Sequence, residues 1–192
     1  MADSENSDEM PPRKHSGFTE GCYEWVEALM TALIAVMILF VFFFRLNVEV
    51  QGKSMEPNYC EGYRLFVSCT DRSFKSGDVV VIDAAGTKLN ERIIKRVIAT
   101  EGQAVNIDFS SGYVYVDGKP LDESAYIKNG ITKQKGTTKF PLTVPKGHVF
   151  VLGDNRPVSE DSRFTDVGVI DTHYIMGKVS FLLSPFHGFH SR

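Results

Sequence analysis

The sequence predicts a mainly β domain carried on one N-terminal membrane-spanning helix, and three observations predict it. Residues 28–44, ALMTALIAVMILFVFFF, are 17 residues without a charge. Beyond residue 45, β-branched and aromatic residues recur in short runs with period-two alternation, separated by Gly, Asp, Pro and Lys clusters. No long stretch of that region carries a helical period, and no repeat recurs at fixed spacing.

The apolar run sits at the lower limit for crossing a hydrocarbon layer of ~30 Å, which takes roughly 17–25 helical residues. Val26 and Leu46 extend it, Trp25 suits an interface, and Arg45 can snorkel at the far end, so residues 25–46 are expected to span. A cleaved signal peptide would have a core of ~7–15 residues and a small-x-small site. This run instead ends in Phe42-Phe43-Phe44-Arg45. A buried core helix is the other alternative, and four phenylalanines within five positions together with the lack of a polar face argue against it. Residues 1–24 read as an acidic, loosely ordered tail: Met1 to Glu27 hold seven acidic and two basic residues, a net of −5 in a chain of −3. Arg13 and Lys14 on one side and Arg45 and Lys53 on the other leave the orientation undecided by charge.

Residues 47–192 suffice for one domain with a core. Strand-like runs are RLNVEVQG (45–52), YRLFVSC (63–69), DVVVIDA (78–84), RIIKRVIAT (92–100), HVFVLGD (148–154) and IMGKVSFLL (175–183). AVNIDFSSGYVYVDG is a hairpin signal with its turn near Ser110-Ser111-Gly112. KNGITKQKGTTK (128–139) reads as a polar surface loop, and Phe181, Leu182 and Leu183 read as core. Cys22, Cys60 and Cys69 show no metal-ligand spacing; Cys60 and Cys69 could pair, but free thiols are the expectation.

The stretch QGKSMEPNYC (51–60) contains Gly-Lys-Ser, the tail of a phosphate-binding loop. That motif needs a glycine five residues before Gly52, where Asn47 stands, and Pro57 discourages helix just before it. Ser54 is left as a turn residue or a nucleophile. On RIIKRVIAT as a strand, Lys95 shares a face with Ile93 and Val97, and Arg96 shares the other with Ile94 and Ile98. Either both stems lie along the surface with their charges in water, or one cation is held dry. A lysine kept from water loses stability as a cation, its pKa falls from about 10.4, and the neutral amine can serve as general base to a serine. A third block, GDNRPVSEDSR (153–163), is either a polar turn closed by surface ion pairs or a support for such a site.

These segments carry a resemblance. SMEP at 54–57, GDVVVI at 77–82, RIIKRVIATEG at 92–102 and GDNRPVSEDSR at 153–163 resemble, in order and spacing, the type I signal peptidases, in the short single-anchor form common in Gram-positive bacteria. The resemblance covers the anchor and nearly all of residues 45–185. It implies a mainly antiparallel β-sheet or partial barrel, with Ser54 as nucleophile and Lys95 as general base. It also implies that Ser159 hydrogen-bonds and orients the lysine, that Asp161 and Arg163 form a bracing ion pair, and that Asp154, Asn155 and Arg156 support the block. The Ser54 backbone N–H would hold the oxyanion. Gly52 stands where some members add a serine hydroxyl, leaving the second donor open, and Pro157-Val158 replace the Asp-Asn common there.

The implied reaction is removal of signal peptides from secretory preproteins with small residues at positions −1 and −3 of the cut. The substrate would be bound as an added β-strand. The implied setting is the plasma membrane, crossed once, with the amino terminus cytoplasmic and the catalytic domain outside. The lipid bilayer is an expected partner, with Phe186 and Phe189 touching headgroups; no nucleic acid, metal or cofactor is expected. The rivals are a Ser–His–Asp hydrolase using one of His15, His148, His173, His187 or His190, a cysteine transpeptidase using Cys60 or Cys69, and a β module that binds extended peptides without cutting them.

Overall fold

The computed structural model describes residues 17–45, 47–84 and 91–183. The chain divides into two compact units at Arg45 and Leu46. The first contains one helix, α1 (Gly17–Arg45), of 29 residues. Its window Gly21–Phe40 has mean hydropathy 1.7 and is long and apolar enough to cross a membrane. The helix begins ahead of the expected Trp25, taking in residues 17–24 that the sequence assigned to the tail. Once a helix is nucleated, adding a turn costs little.

The second unit is built from eleven strands among the described residues. These are β1 (Asn47–Glu49), β2 (Arg64–Ser68), β3 (Val79–Asp83), β4 (Arg92–Thr100), β5 (Ala104–Asp108) and β6 (Tyr113–Val116). They continue with β7 (Lys119–Pro120), β8 (Leu142–Thr143), β9 (His148–Leu152), β10 (Ile170–Asp171) and β11 (Ile175–Leu183). A seven-stranded sheet runs β1-β2-β11-β3-β4-β9-β10 and a four-stranded sheet β7-β6-β5-β8. Neighbouring strands pair antiparallel, and the larger sheet has ends at β1 and β10, so it is not a closed barrel.

Strand β4 lies near the middle of the larger sheet, and all but its terminal residues are buried. One apolar cluster joins Val80, Ile82, Ile93, Val97, Val151 and Ile175; a second fills in behind Ile98, Phe150 and Leu152. A third packs Met55, Leu65, Val67, Val79, Val81 and Ile94 beneath the Ser54 turn. Ile and Val on both faces of β4 make it a buried strand, so a charge there has no easy route to water.

Two expectations are corrected. Phe181 and Leu182 are not core: they are exposed, and Phe181 stacks on Phe66 with ring centroids 4.6 Å apart. The register of β11 against β2 shifts between Val179 and Phe181, which re-aims the strand's last residues. The 128–139 segment is not only a surface loop, because Thr132 is fully buried and the Thr138 N–H donates to the Arg163 carbonyl at 2.8 Å. Its lysines face solvent while its threonines seal the 153–163 block. Phe186, Phe189, His187 and His190 lie outside the described residues.

Candidate active site

Ser54 sits in a tight turn anchored by Met55, whose side chain is 1% exposed in the third apolar cluster. The Glu56 N–H donates to the Lys53 carbonyl at 3.2 Å and the Tyr59 N–H to the Met55 carbonyl at 3.0 Å. Asn155 clamps the turn from the opposite loop: its side chain donates to the Lys53 carbonyl and its N–H to the Ser54 carbonyl, each at 3.0 Å. Ser54 is thereby held by its backbone, leaving the hydroxyl free to point elsewhere. It points to Lys95, whose Nζ lies 2.8 Å from Ser54 Oγ.

Lys95 is 3% exposed, and among the described residues it forms no ion pair. Burial lowers its pKa to about 8; the carboxylates of Asp161, Glu91 and Glu160 oppose this, and Arg163 adds to it. None of those carboxylates reaches the amine, so desolvation wins.

Arg96, the next residue, is buried too but fully partnered. Its Nε and Nη2 donate to the two oxygens of Asp154 at 2.8 and 2.7 Å, and its Nη1 donates to the Gly77 carbonyl at 2.8 Å. Asp161 and Arg163 form a fully buried bidentate pair at 2.8 and 2.9 Å. Arg163 also donates to the carbonyls of Arg156 and Ser159, and Asp161 accepts from the Gly153 N–H. Arg156 pairs with Glu123 and donates to Thr132 and to the Gly153 carbonyl.

Ser159 does not make the hydrogen bond to Lys95 that the resemblance implied. Its hydroxyl is buried and without a partner, while the Lys95 amine is directed at Ser54. The 153–163 turn brings Ser159 against Gly153 instead. A Cβ on residue 153 would lie 2.2 Å from Ser159 Oγ and 2.5 Å from the Ser54 carbonyl oxygen, so only glycine fits between nucleophile turn and supporting block. Gly52 has φ +76°, in the left-handed region that glycine adopts without strain, and it lines the cleft beside Ser54.

The cleft, of about 750 Å³, is open on one side and lined by Val48, Ser54, Val81, Ile94, Lys95 and Val158 among others. No histidine or cysteine lines it among the described residues. His148 contacts the Lys146 carbonyl and His173 contacts Asp171 on the surface, and the three cysteines are free. Sequence reasoning missed Glu123, Tyr126 and Asn58. Glu123 is a buried carboxylate balancing Arg156, Tyr126 lies under the Arg96 guanidinium at 4.1 Å, and Asn58 bonds both Asp154 and the Tyr126 carbonyl.

The Ser54 hydroxyl thus lies 2.8 Å from a buried lysine amine that has no carboxylate paired to it, beside a cleft in an antiparallel β domain, and serine–lysine pairs are one variant of the serine hydrolase triad. The signal peptidase (peptidase S26) family matches residues 22–184. Signal peptidase I of Bacillus licheniformis is 33% identical over 186 residues, covering 93% of this chain and 97% of that protein. Signal peptidase IB of Staphylococcus aureus is 34% identical over 185 residues, covering 86% and 93%. A solved signal peptidase I from Enterococcus faecalis V583 is 27% identical with a TM-score of 0.44, covering 56% of this chain and 97% of that one. The chain belongs to the signal peptidase, peptidase S26 family, and it is a serine endopeptidase that removes signal peptides.

Proposed function

We propose that the enzyme is membrane-anchored through α1 and cuts secretory preproteins with a Ser54/Lys95 dyad. The observation that carries this reading is the 2.8 Å approach of a buried, unpaired amine to Ser54 Oγ. Neutral Lys95 takes the Ser54 proton as Oγ attacks the scissile carbonyl. The oxyanion is held by the Ser54 backbone N–H, with the second donor left open because Gly52 offers no hydroxyl. The Lys95 ammonium then returns its proton to the leaving amine, giving the acyl-enzyme and the released mature chain. The same amine next deprotonates a water that attacks the ester, freeing the signal peptide and restoring Ser54.

Asn155 holds the nucleophile turn, and the Asp161–Arg163 and Asp154–Arg96 pairs brace the block around it without touching substrate. Preproteins lie extended along the cleft as an added strand, with small residues such as alanine at −1 and −3. Residues 25–46 span the plasma membrane, residues 1–24 lie in the cytoplasm, and residues 47–192 form the catalytic domain outside. Incubating the detergent-solubilised full chain with a preprotein bearing Ala-x-Ala tests the reading. Wild type should cut after the second alanine, and Ser54→Ala and Lys95→Ala should not. Undiminished cleavage by either variant refutes the dyad.

A further inference from the structure

The turn that carries the nucleophile and the strand that carries the amine meet at one carboxylate. Asp154 accepts two hydrogen bonds from Arg96, the neighbour of Lys95 on β4. Its Oδ2 also accepts from Asn58 Nδ2 at 2.8 Å, and Asn58 lies in the same turn as Ser54. The other N–H of Asn58 goes to the Tyr126 carbonyl at 2.6 Å, and the Tyr126 ring supports the Arg96 guanidinium. Both partners of Nδ2 are acceptors only, so the amide must present nitrogen to them. A carboxylate at position 58 would face another carboxylate, and an apolar side chain would leave both acceptors short of a donor.

Ser54 and Lys95 lie 41 residues apart on separate elements, so their hydrogen-bond separation depends on what ties those elements together. Asn155 ties the start of the turn, at the Lys53 and Ser54 carbonyls. The buried Met55 side chain and the Gly62 N–H to Val50 carbonyl bond fix the turn to the core and to its own base, and Asn58 adds the tie from the turn's later half to Asp154 and Arg96, on the side that carries Lys95.

We propose that Asn58 is a positioning residue that, through Asp154 and Arg96, fixes the distance between Ser54 Oγ and Lys95 Nζ. This rests on the dyad reading above. The cleft walls are untouched by the substitution, so the loss falls on the chemical step and not on substrate binding.

The test uses the full chain in detergent with an Ala-x-Ala preprotein, comparing wild type, Asn58→Leu, Asn58→Thr, Asp154→Asn and the Asn58→Leu/Asp154→Asn double variant. Asn58→Leu should lower kcat by on the order of 10- to 100-fold with KM within about twofold. Asn58→Thr, which keeps one donor, should fall between. The double variant should lose little beyond Asp154→Asn alone, because the two residues act as one unit. Unchanged kcat for Asn58→Leu, a loss carried by KM, or multiplicative losses in the double variant would overturn the inference. If thermal unfolding shows Asn58→Leu to be misfolded, Asn58→Thr decides by the same criteria. Wild type that fails to cleave overturns the dyad and this inference together; active wild type with an indifferent Asn58 overturns this inference alone.

Discussion

Lys95 and Arg96 are consecutive in one buried strand and are treated in opposite ways. Arg96, like Arg156 and Arg163, meets a carboxylate: Asp154, Glu123 and Asp161 serve the three guanidiniums in turn. Lys95 meets only a hydroxyl. The paired guanidiniums are fixed struts. The unpaired lysine is destabilised as a cation until its proton becomes exchangeable near neutral pH. Burial alone does not make a base; burial without a counter-ion does.

The largest way to break this contrast is to remove the exchangeable proton carrier. Lys95→Ala and Ser54→Ala should each lower kcat/KM by about 10³-fold or more, measured by preprotein cleavage. Next comes breaking a strut. Arg163→Met leaves Asp161 buried and unpaired and should destabilise the domain by roughly 3–5 kcal/mol, read from denaturant unfolding.

Replacing the base with an apolar isostere should do the reverse. Lys95→Met should stabilise the protein below pH 8 by up to about 3 kcal/mol while abolishing activity. The sign follows from proton binding. Unfolded, the lysine holds its proton up to about 10.5; folded, it releases it near 8. Between those values the unfolded chain binds more protons, so wild-type stability should rise with pH relative to Lys95→Met, and below pH 8 the full cost applies. The smallest effect sharpens the comparison. The acid limb of kcat/KM should lie near pH 8, and Glu160→Gln, which removes a carboxylate that raises the Lys95 pKa, should move it lower by a fraction of a pH unit.

Much of this contrast is written locally. RIIKRVIAT carries apolar residues on both strand faces, so two adjacent cations there must be accommodated in a dry setting. The runs that became β2, β3, β4, β9 and β11 are marked by β-branched and aromatic residues. The hairpin of β5 and β6 is marked by its Ser-Ser-Gly turn. Strands β7, β8 and β10 have two residues each, too few for any period to register. The partner assignments are not local. Glu123 meets Arg156 33 positions away and Asn58 meets Asp154 96 positions away, and neither contact leaves a spacing signature. The lysines of 128–139 suggested a wholly solvated loop, yet Thr132 within it is sealed against Arg156. Ser159 illustrates the converse: the family resemblance implied a bond to Lys95, but the close packing of Gly153 against it fixes where that hydroxyl lies.

The most direct test is the titration of the Lys95 amine itself, followed by heteronuclear NMR at the lysine ε-carbon and assigned by its loss in Lys95→Met. One lysine resonance should titrate with a midpoint near 8, well apart from the rest, and the same midpoint should govern the acid limb of cleavage. A Lys95 resonance titrating with the other lysines, near 10.5, would mean the amine is charged at working pH and cannot be the base.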